Sequence, residues 1–144
     1  MIGIVVAAHG GLAEALIEAA MVVVQDTGNI VAVGVTDADD AASYERRLRE
    51  ATEKVNTGVG VLVLTDMFGG TPSNVGLSLH RSGEVEVLTG TNLPMLIKAI
   101  QVSTQNVDLS AASRQVRECG ERAITVASEV LDGTPVADHR EVTS

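Results

Sequence analysis

The chain has 144 residues, of which 45% are apolar, and it carries a formal net charge of −9. This length and composition fit one compact domain with an aliphatic core. The acidic charge argues against nucleic acid as a partner, and a single cysteine, Cys119, excludes an internal disulfide and a cysteine-based zinc site. No apolar run approaches the roughly 20 residues that span a bilayer, and the N-terminus is typical of a strand rather than a signal peptide. We therefore expect a cytoplasmic protein without direct membrane insertion.

Short apolar, β-branched runs alternate along the chain with stretches of helical periodicity. The runs predict strands at residues 2–8, 30–35, 59–65 and 85–88. The periodic stretches predict helices at about 11–25, 41–55 and 72–80, from Leu93 onward, and from Ser110 to about Val130. Such alternation is typical of a mainly parallel sheet with helices as right-handed crossovers. The polar residues 132–144 are expected to form a flexible tail.

Polar residues ahead of three helices predict N-caps at Asp37, Asn92 and Ser110. Cys119 lies on the apolar stripe of the last helix, which predicts a packed thiol. Two charged groups are expected in solvent. The first is an acidic run at a helix start, and the second is an arginine cluster that predicts an exposed helix face, with a docking surface as the alternative. The acidic run is Asp37, Asp39 and Asp40, and the arginine cluster is Arg46, Arg47 and Arg49.

His9 follows the first strand, and Asp66 follows the third. In open parallel sheets, chemistry gathers beyond the carboxyl ends of the strands, so these two loops are expected to meet. Gly10 and Gly11 come next, ahead of a helix whose N-terminus favours an anion. A neutral imidazole beside an anion-binding backbone is a candidate phosphoryl acceptor.

Asp66 is predicted to accept a hydrogen bond from one ring nitrogen of His9. This bond would select the tautomer, orient the ring and stabilise the charge that develops when the other nitrogen attacks phosphorus. A second phosphate-binding segment is predicted at Gly69, Gly70 and Thr71, where the glycines permit close approach and Thr71 stands ahead of Pro72 at a helix start.

Three segments resemble the EIIA domains of the mannose-type family of the bacterial sugar phosphotransferase system. The segment from Val6 to Leu16, around His9, is similar to the active-site segment of that family. The segments from Asp66 to Asn74 and from Thr89 to Leu96 are similar to its second and third motifs. The three motifs occur in family order and spacing, and the resemblance covers roughly residues 1–130.

The resemblance implies that His9 is phosphorylated by phospho-HPr and donates the group to an EIIB partner, with Asp66 orienting the ring. Thr71 stands where the family often has a serine near the phosphate. The resemblance also implies that the third motif frames the site, and that the chain is a homodimer with part of its C-terminal region in the contact. We expect no cofactor and no bound metal.

The expected fold is a single-domain, three-layer αβα sandwich over residues 1–131, with a mainly parallel central sheet of strand order 2-1-3-4. Two other functions remain open at this point. A receiver-like domain would be phosphorylated on Asp66, although the loop after the first strand lacks the acidic residues that would hold Mg²⁺. A flavin- or nucleotide-binding module would suit the topology, but the chain has no glycine-rich nucleotide fingerprint. If the chain is a phosphotransferase system component, the alternative to a role in transport is a stand-alone regulatory phosphoprotein that another protein recognises.

Overall fold

In the computed structural model, which describes residues 1–67 and 71–133, strands and helices alternate from the first strand to the fourth helix, and two further helices follow. The strands are β1 (Gly3–His9), β2 (Ile30–Val35), β3 (Val61–Thr65) and β4 (Val85–Leu88). The helices are α1 (Leu12–Val23), α2 (Ala41–Val55), α3 (Thr71–Ser78), α4 (Leu93–Ser103), α5 (Leu109–Arg122) and α6 (Ala127–Leu131). The predicted phosphate-binding Gly69 and Gly70, and nearly all of the predicted tail, lie outside the described residues.

The four described strands form one parallel sheet in the order β2-β1-β3-β4. The predicted fold class and strand order are therefore confirmed. β1 lies inside the sheet, where Ala7 pairs with Thr65 of β3 and His9 pairs with Val35 of β2. Because all four strands run the same way, the loops that follow them meet at one edge.

Helices cover both faces of the sheet, which is why β1 is apolar and buried as far as Ala8 and β3 as far as Leu64. Alternate residues of β1 point to opposite faces. Ile4 and Val6 belong to a core cluster that also contains residues of α1, α4 and α5. Val5 and Ala7 belong to a second cluster with residues of α2, including the fully buried Tyr44. These two clusters are the interfaces between the three layers.

Helix caps differ from the prediction at two of three positions. Asn92 caps α4 as predicted, accepting a hydrogen bond from the Met95 N–H at 3.0 Å. The prediction of Asp37 was wrong, since Asp40 caps α2 and accepts from the Ser43 N–H at 2.7 Å. The prediction of Ser110 as the N-cap of the last long helix was also wrong, because Asp108 caps α5. In both wrong predictions a second residue able to cap lies within three positions of the predicted one, and tertiary packing decides where the helix begins.

The C-terminal helix is shorter than predicted. α5 ends at Arg122, and the short α6 follows after a non-helical stretch, so the prediction of one helix to about Val130 was wrong. Ile124, Thr125 and Val126 are three consecutive β-branched residues, which disfavour helix. The predicted packed thiol is confirmed, because Cys119 is buried on α5.

Candidate functional site

His9 and Asp66 lie side by side at the carboxyl edge of the sheet. One carboxylate oxygen of Asp66, Oδ2, accepts from the His9 backbone N–H at 3.0 Å and lies 2.8 Å from the His9 ring nitrogen Nδ1. The other oxygen accepts from the Met67 N–H at 3.0 Å. An ionised carboxylate can only accept, so Nδ1 carries the proton of this contact. In a neutral ring the lone pair then resides on Nε2, the nitrogen that does not face Asp66.

The His9 ring is accessible to solvent, whereas its partner Asp66 is largely buried. The His9 side chain is 48% exposed and that of Asp66 only 11% exposed. Partial burial raises the pKa of Asp66, but the hydrogen bonds from the backbone and ring of His9 outweigh this effect and hold the pKa below its ordinary value. Asp66 is therefore an anion at neutral pH, and it presents a fixed negative charge to one side of an accessible imidazole.

The turn after His9 is packed tightly against β2. Gly10 has a φ of +56°, which favours glycine, and its N–H donates to the Val35 carbonyl at 2.8 Å. A Cβ added at Gly34 would lie 2.5 Å from the Gly10 carbonyl oxygen, so the two backbones are in close approach. Gly11 is the N-cap of α1 and has no side chain to cap the first turn. The predicted anion-binding side of the site thus consists of Gly11 and the open N-terminus of α1, because the Gly10 N–H is already used.

The loop after β4 supports Asp66 from the opposite side. Thr91 donates twice to the carbonyl of Thr65, from its N–H at 3.0 Å and from its hydroxyl at 2.7 Å. Thr65 immediately precedes Asp66, so the third motif of the sequence holds the chain where the carboxylate leaves the sheet. Thr71 begins α3 next to the same edge.

A cavity of about 600 Å³ opens beside His9, between the turn after β1 and the loop after β2. Its lining includes Thr36 and Asp39, and Asp39 pairs with Arg47 of α2 at 2.9 Å. Sequence reasoning missed these residues as part of the site: it made no prediction for Thr36 and treated Asp39 and Arg47 as solvent-exposed charges. The strand-end rule that selected His9 and Asp66 could have found them, since β2 ends at the same edge.

Within residues 1–67 and 71–133, no three His, Cys, Asp or Glu side chains are grouped to hold a metal ion. None of the helices over the same residues has the length and apolar character needed to cross a membrane.

Comparison with known proteins agrees with the sequence motifs. A family model for EIIA-man, described as the fructose IIA component of the phosphotransferase system, matches residues 3–116. The fructose-specific EIIA component of Bacillus subtilis is 24% identical over 139 residues, which are 96% of this chain and 94% of that protein. The mannose-specific EIIAB component of Escherichia coli is 30% identical over 100 residues, which are 69% of this chain and 31% of that protein.

The fold has a close match among solved structures. The crystal structure of a phosphotransferase-system EIIA component from Streptococcus agalactiae superposes with a TM-score of 0.80 at 24% identity, covering 89% of this chain and 98% of that one. At this identity the match shows the fold alone. The family model spans most of the chain, including the segments around His9 and Asp66. The chain therefore belongs to the EIIA-man family of sugar phosphotransferase system components.

Proposed function

We propose that the chain is a phosphocarrier that accepts a phosphoryl group from phospho-HPr on His9 and passes it to an EIIB partner, in sugar uptake or its regulation. The observation that carries the proposal is the contact between His9 Nδ1 and Asp66 Oδ2 at 2.8 Å. It leaves Nε2 as the nucleophilic nitrogen of a half-exposed ring, as a transfer between two proteins requires.

In the proposed step, the Nε2 lone pair forms a bond to phosphorus while the bond between phosphorus and the donor breaks. The imidazole gains positive charge as the new bond forms, and the Asp66 carboxylate stabilises this charge through the Nδ1 proton. The Nδ1 proton stays on the ring. Transfer to EIIB is the reverse displacement, with Nε2 as the leaving group. The step requires no cofactor, since one nucleophile and one leaving group account for both bonds.

Five residues are proposed to form the phosphate-binding site. Gly10 shapes the turn, since its N–H is bonded to Val35, and Gly11 is the N-cap of α1, where the positive end of the helix favours an anion. Gly69, Gly70 and Thr71 are proposed on the strength of the sequence pattern and of their place between Asp66 and α3. The phosphocarrier domain is proposed to comprise residues 1–131, with residues 132–144 as a tail.

We also propose that the protein is a cytoplasmic homodimer with its C-terminal region in the contact. The support is a group of exposed apolar side chains after α5, among them Ile124 at 78% exposure and Leu131 at 83%. Such a surface is unfavourable in water, and association would cover it.

The experiment that tests the function is phosphorylation by phosphoenolpyruvate, Enzyme I and HPr, followed by intact mass. Wild type is expected to gain one phosphoryl group and His9→Ala none. His80→Ala is the matched control, since His80 is another exposed histidine that lies outside the site and near Glu86. A His9→Ala protein that still gains the group would contradict the proposal. Phosphohistidine and acyl phosphate are both lost in acid, but only acyl phosphate is also lost quickly in base. A base-labile group on the His9→Ala protein would therefore lie on a carboxylate, as in the receiver-like alternative with Asp66.

A further inference from the structure

Two carboxylates line the cavity beside His9. Asp37 and Asp39 both belong to the loop between β2 and α2, and the cavity reaches from them to His9 and Gly10. Phosphoryl oxygens carry almost two negative charges at neutral pH. Carboxylates next to such a group repel it, and the repulsion is stronger from the partly buried Asp39 than from the exposed Asp37, whose charge water screens. The loop therefore needs a counter-charge if the cavity is to admit a phosphoryl group.

Arg47 of α2 supplies that counter-charge. Its Nη2 lies 2.9 Å from Asp39 Oδ1 and donates to the Gly34 carbonyl at 2.8 Å. Its guanidinium also lies over the ring of Tyr44, 5.4 Å from the ring centroid. These three contacts hold the guanidinium between α2, the end of β2 and the acidic loop. Arg47 is thus held directly behind the cavity lining, against Asp39 and the end of β2, unlike Arg46, its exposed neighbour in the arginine cluster.

Asp39 is held just as firmly on its other oxygen. Asp39 Oδ2 accepts from the Thr36 N–H at 2.9 Å and from the Thr36 hydroxyl at 3.3 Å. The hydrogen bond from the Thr36 backbone, followed by the charge of Arg47, holds the pKa of Asp39 below its ordinary value despite some desolvation. The carboxylate is therefore ionised at neutral pH, and Arg47 balances a permanent charge.

Arg47 also touches the backbone that shapes the phosphate side of the site. The Gly34 carbonyl that accepts from Arg47 belongs to the residue in close approach to Gly10. The next residue, Val35, accepts from the Gly10 N–H. One side chain thus connects the charge balance of the acidic loop with the end of β2, which supports the turn after His9.

We propose that Arg47 is a positioning residue for phosphoryl transfer: it neutralises Asp39 in the cavity wall and holds the loop after β2, so that a phosphoryl group can approach His9. The inference rests on the proposed function. The other charged residue in the cavity lining is Asp37 on the same loop, and Asp66 lies behind His9, with which it is paired. The described lining contains no Lys or Arg, so removal of Arg47 leaves the charge of Asp39 without its partner.

The test compares Arg47→Met, Asp39→Asn and the double variant, with Arg46→Met as the control for loss of one surface charge from the same helix. The readout is the rate of phosphorylation by phospho-HPr, resolved into kcat and KM, at low and high salt. Arg47→Met is expected to lower kcat about tenfold, as one uncompensated charge near a dianion implies. High salt should reduce this defect, since screening weakens the repulsion.

The double variant decides between charge and structure. It removes both partners of the ion pair, so its rate is expected to return to near that of the wild type, and Asp39→Asn alone is expected to be at least as fast as the wild type. A double variant as slow as Arg47→Met would overturn the role of charge. An Arg47→Met rate equal to that of Arg46→Met would also overturn the inference. If Arg47→Met does not fold, Asp39→Asn still tests the effect of the Asp39 charge. A rate of Asp39→Asn well below that of the wild type would then refute the inference about charge.

These outcomes are separate from a failure of the proposed function. If the wild type gains no phosphoryl group on His9, the phosphocarrier proposal itself falls. If the wild type is phosphorylated and the Arg47 variants behave as the Arg46 control, only the inference about Arg47 falls.

Discussion

Asp66→Asn is expected to slow phosphorylation of His9 by about ten- to a hundredfold and to leave the fold intact. The substitution keeps the size and shape of the side chain but removes the charge that faces Nδ1 at 2.8 Å. The amide oxygen has two lone pairs and can still accept from both the backbone and the ring of His9, whereas the amide NH2 cannot accept from the Met67 N–H. It cannot balance the positive charge that develops on the ring during transfer.

The magnitude follows from the contact that is lost. A hydrogen bond to a charged group contributes about 1.5–3 kcal/mol, and each 1.36 kcal/mol in a barrier changes a rate by about a factor of ten. The Asp66 side chain is only 11% exposed, so water replaces little of the lost interaction. The effect should appear in kcat, because the charge on the imidazole develops in the transition state and is absent from the bound ground state.

The assay is rapid-quench phosphorylation with an excess of phospho-HPr, read by intact mass. Asp40→Asn is the matched control, since it makes the same chemical change at an exposed carboxylate and asparagine caps a helix as well as aspartate does. Equal rates for Asp66→Asn and Asp40→Asn would refute the assignment of Asp66 to charge stabilisation. A lower melting temperature confined to Asp66→Asn would mean that the carboxylate acts on stability, and the rate would then be compared in folded protein only.

The contribution of the Asp66 carboxylate to the stability of the protein depends on pH, and the direction of this dependence follows from its pKa. The pKa of Asp66 is lowered in the folded protein, so its contribution to stability is present above the ordinary aspartate value of about 3.9 and is lost as pH falls through the folded value. The difference in unfolding free energy between wild type and Asp66→Asn should therefore persist from pH 8 to about pH 5, where an unperturbed aspartate would still be mostly ionised. A difference that vanished by pH 6 would contradict the lowered pKa.

Three further predictions concern packing, capping and assembly. Gly34→Ala should lower the free energy of unfolding by about 1–3 kcal/mol in urea titrations, because the new Cβ would lie 2.5 Å from the Gly10 carbonyl oxygen; an unchanged midpoint would disprove the close approach. Asp108→Ala should lower the free energy of unfolding by about 1 kcal/mol and Ser110→Ala by much less, since Asp108 is the residue that caps α5. A larger loss for Ser110→Ala would instead support the N-cap predicted from the sequence. Ile124→Asp should convert the proposed dimer to a monomer in light scattering, and a dimer of unchanged affinity would remove Ile124 from the contact.

The fold was predictable because its signals are local and repeated. Each buried strand is a short β-branched run, and each of the first helices shows an apolar stripe, as in Tyr44, Leu48 and Val55 of α2. Parallel topology then brings the ends of β1 and β3 together, so the proximity of His9 and Asp66 follows from the strand-end rule. The strand order came from the resemblance to the EIIA family, because periodicity alone does not select one order.

The features that the sequence did not reveal depend on distant contacts. Arg47 looks like any exposed helix arginine until α2 packs on the sheet and brings its guanidinium to the Gly34 carbonyl. Asp39 and Asp40 are adjacent carboxylates, yet one pairs with Arg47 and the other caps α2. Local propensity does not distinguish them, because the tertiary position of the helix decides which carboxylate meets which partner.

The strand that carries His9 is synthesised before the other three described strands but lies inside the finished sheet. β1 pairs with β2 on one side and with β3 on the other, so its second edge stays open until residue 65 has been made. Pairing of parallel strands requires closure of long loops before any hydrogen bond forms. The contact between His9 and Asp66 spans 57 residues and can form only after this closure. A growing chain therefore holds the nucleophile long before it holds the carboxylate that orients it, and the site becomes complete only as the sheet does.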